Sequence, residues 1–260
     1  MRVGRARSTS PFPAPVLRAR GLHKAFGSGR GARILLDGVD LDLARGELVA
    51  VVGRSGTGKS TLLHLLGGLD RADAGSVEVV GRPVTGASER ELSALRRDEI
   101  GFVFQFFHLV PELDGEANVL LPTRLPGASS EAAGRGRALI ARLGLGDVAR
   151  LAPHQLSGGE QQRFALARAL VADPALVLAD EPIGNLDAAS GAVVLDLLRA
   201  IADDGRGVLM VTHQAEATAR ADRVLHLTDG RLVPFDESGA AAVEHAEGAA
   251  PPPRPRRAAR

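Results

Sequence analysis

LVAVVGRSGTGKSTLLHLL, residues 48–66, is the stretch whose reading decides the fold. Its first five residues are apolar and mostly β-branched, the composition of a strand buried on both faces. Its last five, Leu62 to Leu66, continue as a helical run. Between them Gly53-Arg54-Ser55-Gly56-Thr57-Gly58-Lys59-Ser60-Thr61 fits G-x-x-x-x-G-K-S/T, placed where that string must lie, after a strand and before a helix. Glycines let a backbone wrap closely around an anion, and a helix start aims unpaired N–H groups at it. Lys59 supplies a compact charge for the β and γ phosphates, and the Ser60 hydroxyl is placed to ligate magnesium. Residues 53–61 are therefore candidate nucleotide-binding residues, with Ser60 a candidate metal ligand. Every basic residue except Lys24 and Lys59 is arginine. A lysine here fits a site where a bulky planar guanidinium would not substitute. The loop implies ATP or GTP but does not choose among kinases, GTPases, motor ATPases and transporters.

Outward from the loop, Ile100 to Phe104, Leu176 to Ala179 and Val208 to Val211 repeat the short, apolar strand pattern and are separated by helical patterns. Together with Leu48 to Val52 they predict an α/β core with parallel strands. Leu17 to Phe26, Ile34 to Leu43 and Ser76 to Val84 alternate instead, as strands of a more exposed antiparallel sheet do. Strand signals vanish between Gln105 and Asp173, where Ala132 to Leu143 and Glu160 to Val171 read as helices. The expected architecture is a nucleotide-binding α/β core with an antiparallel β subdomain and an inserted α-helical subdomain at about 106–172. Residues 1–15 read as a loose basic leader without a signal's apolar stretch. Residues 236–260, rich in Ala, Pro and Arg, hold too few large apolar side chains to fold and read as a disordered tail. The folded domain is expected at 16–235.

Charge and cysteine content narrow the partners. Thirty-two basic and 31 acidic residues leave a net charge of +1, without the broad positive field of a nucleic-acid binder. With no cysteine, disulfides, zinc–thiolate sites and thiol nucleophiles are excluded. No apolar run approaches the ~20 residues of a membrane helix, so membrane contact is expected only through a partner.

Two downstream segments refine the chemistry. Leu176-Val177-Leu178-Ala179 runs into Asp180 and Glu181, so two carboxylates emerge together at a strand end. Asp180 is placed for the magnesium shell and Glu181 for polarising the attacking water as general base. Leu156-Ser157-Gly158-Gly159-Glu160-Gln161-Gln162 has capping-box spacing, so Ser157 caps a helix while Gly158 and Gly159 leave its first N–H groups open to an anion.

That last segment resembles the LSGGQ signature of ABC transporter ATPases, and the resemblance extends over roughly residues 16–235. It implies a P-loop NTPase (RecA-like) core and ATP hydrolysis with ATP and Mg2+. Phe26 falls at the adenine-stacking position, Gln105 at the residue that senses magnesium and attacking water, Asp187 after Asn185-Leu186, and His213 at the γ-phosphate contact. In that family two copies pack head to tail, so Ser157, Gly158 and Gly159 are expected to act on the nucleotide held by a second copy. Leu62 to Asp70, Gly101 to Gln105 with His108 to Pro111, and Gly184 to Asp187 look like the LolD/MacB/FtsE branch. This branch implies export or mechanical signalling through a separate membrane permease, from a peripheral cytoplasmic position on the inner face of the cell membrane. The apolar run Phe106 to Leu113 is the candidate docking surface for that permease, core packing being the competing reading for Phe106 and Phe107. Two positions depart from the pattern: Ile183, where Thr or Ser is usual, and Asp114-Gly115. The alternative function, a soluble ABC ATPase acting on nucleic acid or the ribosome, is disfavoured by the near-neutral charge and the single cassette.

Overall fold

The computed structural model describes residues 15–27 and 33–235; the expected tail and all but the last residue of the expected leader lie outside them. In chain order the strands are β1 (Leu17–Phe26), β2 (Arg33–Leu43), β3 (Leu48–Val52), β4 (Ala74–Val79), β5 (Arg82–Pro83), β6 (Ile100–Val103), β7 (Leu176–Asp180), β8 (Gly207–Thr212), β9 (Arg223–Thr228) and β10 (Arg231–Pro234). The α-helices are α1 (Lys59–Leu66), α2 (Glu89–Glu99), α3 (Gly115–Leu120), α4 (Ala132–Arg142), α5 (Gly158–Leu170), α6 (Ala188–Asp203) and α7 (Ala215–Thr218).

Two sheets organise these elements. One is antiparallel, in the order β2-β1-β4-β5. The other runs β10-β9-β3-β8-β7-β6, with β9 to β6 parallel and β10 antiparallel at its edge. Ser76 to Val84, expected as one strand, is a hairpin. Val80 and Gly81 have φ of 52° and 72°, the positive values that a two-residue turn needs to match strand twist. The sequence reading also omitted α2, α6, β9 and β10.

The parallel sheet is covered on both faces, which is why its strands read as unbroken apolar runs. Leu62, Leu63 and Leu66 of α1 and Leu92 and Leu95 of α2 share one core with the antiparallel sheet and with Leu209 and Val211 of β8. Val194, Leu195 and Leu198 of α6 pack with Ala50, Val177 and Met210 on the opposite face. A third cluster, around Phe164, Val119, Ile140 and Leu145, joins α3, α4 and α5. Helix α5, expected wholly within the helical subdomain, serves two cores: Leu166 and Leu170 face the sheet, while Phe164 and Ala167 face α3 and α4.

Both departures have packing reasons. Asp114 caps α3, accepting from Ala117 N at 2.7 Å. A Cβ on Gly115 would lie 2.4 Å from the Phe164 ring, so only glycine leaves room for it. Ile183, 5% exposed, fills an apolar slot against Gly191.

Candidate nucleotide site

Four neighbouring parallel strands end on one edge, and each delivers a predicted group. β3 leads into residues 53–61, β8 into His213, β7 into Asp180 and Glu181, and β6 into Gln105. Register fixes their alignment, with Val52 opposite Thr212, Val211 opposite Asp180, and Ala179 opposite Val103. In open parallel sheets ligands bind outside the carboxyl ends of strands.

Gly58 begins α1 in the left-handed region, φ 103°, and no side chain caps the helix. The orphan N–H groups of its first turn are therefore available to an anion. Thr57 tightens the loop by donating its hydroxyl to Arg54 O at 2.9 Å. Lys59 is 7% exposed and donates to Gly53 O at 2.8 Å and Arg54 O at 3.2 Å. Burial lowers its pKa from the ordinary lysine value, against the opposing pull of Glu181 and Asp180. The Lys59 ammonium lies 3.9 Å from the Glu181 carboxylate.

Ser60 Oγ donates to Asp180 Oδ1 at 3.0 Å. Burial raises the Asp180 pKa, with the Ser60 bond working in the opposite direction. No group of three or more His, Cys, Asp or Glu side chains able to hold a metal occurs among the described residues. A hydroxyl and a carboxylate oxygen nevertheless suit magnesium, which usually takes one or two protein oxygens and completes its shell with phosphate and water.

Glu181 has φ 45°, a backbone strain of about 1–3 kcal/mol for a non-glycine residue. Its own N–H donates to Val211 O at 2.9 Å. Its carboxylate accepts from His213 N at 3.3 Å and lies 2.9 Å from His213 Nδ1. The candidate base, histidine and loop lysine thus make one contiguous chain of contacts. Gln105 Nε2 donates to Asn185 Oδ1 at 3.4 Å, and Asn185 Nδ2 returns a bond to Gln105 O at 3.0 Å.

Phe26 closes β1, half-exposed, with the Lys24 ammonium 5.4 Å from its ring centre. Opposite it stands Arg33, whose guanidinium donates to Gly56 O at 2.9 Å and so ties the aromatic's hairpin to the phosphate loop. The sequence reading missed Arg33. It belongs to no motif, and only cross-strand register reveals it.

Ser157, Gly158, Gly159 and Asp187 gather elsewhere. Ser157 caps α5 in a full capping box with Glu160, worth about 1 kcal/mol. A Cβ on Gly159 would sit 2.7 Å from Ser190 Oγ, so the start of α5 lies against α6. Asp187 caps α6, accepting from Ser190 N at 2.9 Å and Oγ at 2.8 Å. Among the described residues no hydrogen bond or ion pair joins these four to residues 53–61. Within one chain the two sets of candidate residues are thus not bonded directly to each other.

A model of the ABC transporter family matches residues 36–184, more than half of the chain and all of the loop-to-Asp180 machinery. The chain belongs to the ABC transporter family. It shares 48% identity over 224 residues with the lipoprotein-releasing system ATP-binding protein LolD of Gluconobacter oxydans, covering 85% of this chain and 97% of that protein. It shares 46% identity over 236 residues with the macrolide export ATP-binding/permease protein MacB 1/2 of Paracoccus denitrificans, covering 90% of this chain but 35% of that protein. The chain thus spans about a third of the MacB relative's length. Among solved structures, the dimeric post-hydrolysis state of the ATP-binding cassette MJ0796 bound to ADP and Pi superposes with a TM-score of 0.75 at 36% identity, over 83% of this chain and 96% of that one. As a member of the ABC transporter family with this RecA-like core, the chain binds and hydrolyses ATP. No helix among the described residues is long and apolar enough to cross a membrane.

Proposed function

We propose that two copies of this chain close head to tail around ATP and drive a separate membrane permease, for export or transmembrane mechanical signalling of the LolD/MacB kind. The observation that carries this reading is the pair of helix starts. One chain holds a phosphate loop with uncapped helix N–H groups and, apart from it, a second capped helix start at Ser157. On this reading ATP bridges the loop of one copy and the signature helix of the other.

Within this arrangement Phe26 stacks adenine, residues 53–61 wrap the phosphates, and Lys59 exchanges its two loop carbonyls for β- and γ-phosphate oxygens. Ser60 and Asp180, together with Gln105, would hold Mg2+, which would supply neutralisation of the charge developing on the phosphates. Glu181 takes the proton of the attacking water, and His213 orients Glu181 while contacting the γ phosphate. Asp187 supports the copy-to-copy contact beside Ser157 through its cap on α6. Phe106, 67% exposed, leads the surface offered to the permease; Phe107 is half-buried near Gly158 and belongs to the fold. The placement that follows is peripheral, on the cytoplasmic face of the membrane.

Complementation between two inactive variants tests the head-to-tail reading. Lys59→Ala and Ser157→Arg are each expected to abolish hydrolysis. In a mixed dimer one site carries both lesions and the other carries neither, so mixing restores activity. Two inactive variants that remain inactive after subunit exchange, verified by differently tagged copies, refute the composite site.

A further inference from the structure

Gln162 lies on α5, just beyond the Ser157–Glu160 cap, and is wholly buried. Its side-chain amide donates to Pro182 O at 2.6 Å and to Phe104 O at 3.3 Å. Both acceptors are carbonyls, so the amide has one orientation, and its Oε1 is left buried with no partner. An apolar side chain of the same size would avoid that orphaned oxygen. The two acceptors explain why an amide stands there: Phe104 immediately precedes Gln105, and Pro182 immediately follows Glu181.

The same helix takes hold of this segment a second time. Arg168 donates to Phe107 O at 2.9 Å and His108 O at 2.6 Å. These two residues have φ of 26° and 50°, a conformation disfavoured for side chains of their size. No carboxylate pairs with Arg168 among the described residues, and burial lowers its pKa from the ordinary arginine value. Its charge is therefore spent on main-chain oxygens, where charge-assisted bonds are strong. Helix α5 grips the Gln105 segment before the glutamine and after it.

We propose that Gln162 and Arg168 are positioning residues that couple the Ser157 end of α5 to Gln105 and to the backbone behind Glu181. When the helix start engages a nucleotide held by the other copy, the displacement reaches the hydrolytic groups through these bonds. The proposal rests on the roles given above to Gln105 and Ser157.

The test uses the full chain and reads kcat and KM for ATP, the folded fraction, and a double-mutant cycle with Gln105→Ala. Gln162→Leu and Gln162→Met, neither of which donates, are expected to lower kcat about tenfold or more with KM within about twofold. Arg168→Lys, which still donates, retains more activity than Arg168→Met. Because Gln162 acts in part through Gln105, the Gln105→Ala/Gln162→Leu pair loses less than the product of the two single losses. Multiplying losses, an unchanged kcat, or a fall in kcat that only tracks the folded fraction overturns the coupling. Should the Gln162 variants fail to fold, the Arg168 pair decides: equal kcat in Lys and Met overturns it. A Gln105→Ala variant hydrolysing at the parental rate sinks the site assignment itself, whereas a slowed one with multiplying losses sinks only the coupling.

Discussion

Glu181→Gln is the perturbation that most sharply separates binding from chemistry at this site. Glutamine keeps the volume of the side chain and an oxygen to accept from His213, so the contacts at 2.9 Å and 3.3 Å need not collapse. What disappears is the negative charge and the ability to take a proton. A positioned general base contributes about 10²–10⁴ in rate, so kcat should fall by about 3–5 kcal/mol in barrier terms. Binding should move the other way. At an effective dielectric of about 20, unit charges 3.9 Å apart attract by roughly 4 kcal/mol. Lys59 must surrender much of that attraction when it turns to phosphate, and the γ phosphate must approach the same carboxylate. Removing it relieves both opponents of binding; after water and counter-ions take their share, a two- to tenfold gain in ATP affinity is expected, up to ~1.4 kcal/mol. Nucleotide affinity is read by fluorescent-ATP titration, hydrolysis by phosphate release, and assembly by size-exclusion chromatography with ATP, where the variant should persist as a dimer. Hydrolysis at the parental rate, or affinity lost together with rate, refutes the assignment.

Two further outcomes concern stability. Asn118 is wholly buried, accepts from Val110 N, and donates to Val110 O, Leu113 O and Asp114 O; Asn118→Ala strands several of these groups at about 1–3 kcal/mol for each one left unpaired. A loss of about 2–4 kcal/mol and a fall in Tm of roughly 5–15 °C is expected by calorimetry, and a shift of about 1 °C contradicts it. At the signature helix, the Ser157 hydroxyl, then its backbone N–H, hold the Glu160 pKa below the usual carboxylate value. A depressed carboxyl adds stability above its unfolded pKa of about 4.3 and loses it as pH falls through the lower folded value. The Tm gap between parental protein and Glu160→Gln should therefore narrow below about pH 4.3; a gap constant with pH shows that the cap does not titrate.

Legibility in the sequence followed local chemistry. The strands at Leu48 to Val52 and Leu17 to Phe26 were readable to the residue because sheet position dictates their patterns: both faces covered in one, alternate burial in the other. The Ser157 cap was readable because its partner lies three residues away. α2 carries an equally local signal, Ser88 with Glu91, but its polar sequence buries only Leu92 and Leu95, and no apolar stripe drew notice. β10 is a short edge strand and β9 its inner neighbour, and their pairing comes from the sheet. The contacts of Arg33, Asn118, Gln162 and Asn185 stayed hidden for a common reason. Their partners are distant in sequence or are main-chain carbonyls, which no side-chain pattern reports.

The latch formed by Lys59 on Gly53 O and Arg54 O bears on the economy of repeated turnover. Ordering a nine-residue segment from a free ensemble, residues 53–61, would cost about 1–2 kcal/mol per residue in backbone entropy, drawn from nucleotide affinity at every cycle. The lysine and the Thr57–Arg54 bond hold the loop curled when the chain folds, so that entropy is lost once. Each later nucleotide meets a cradle already shaped, and its binding energy remains available for closing one copy on another.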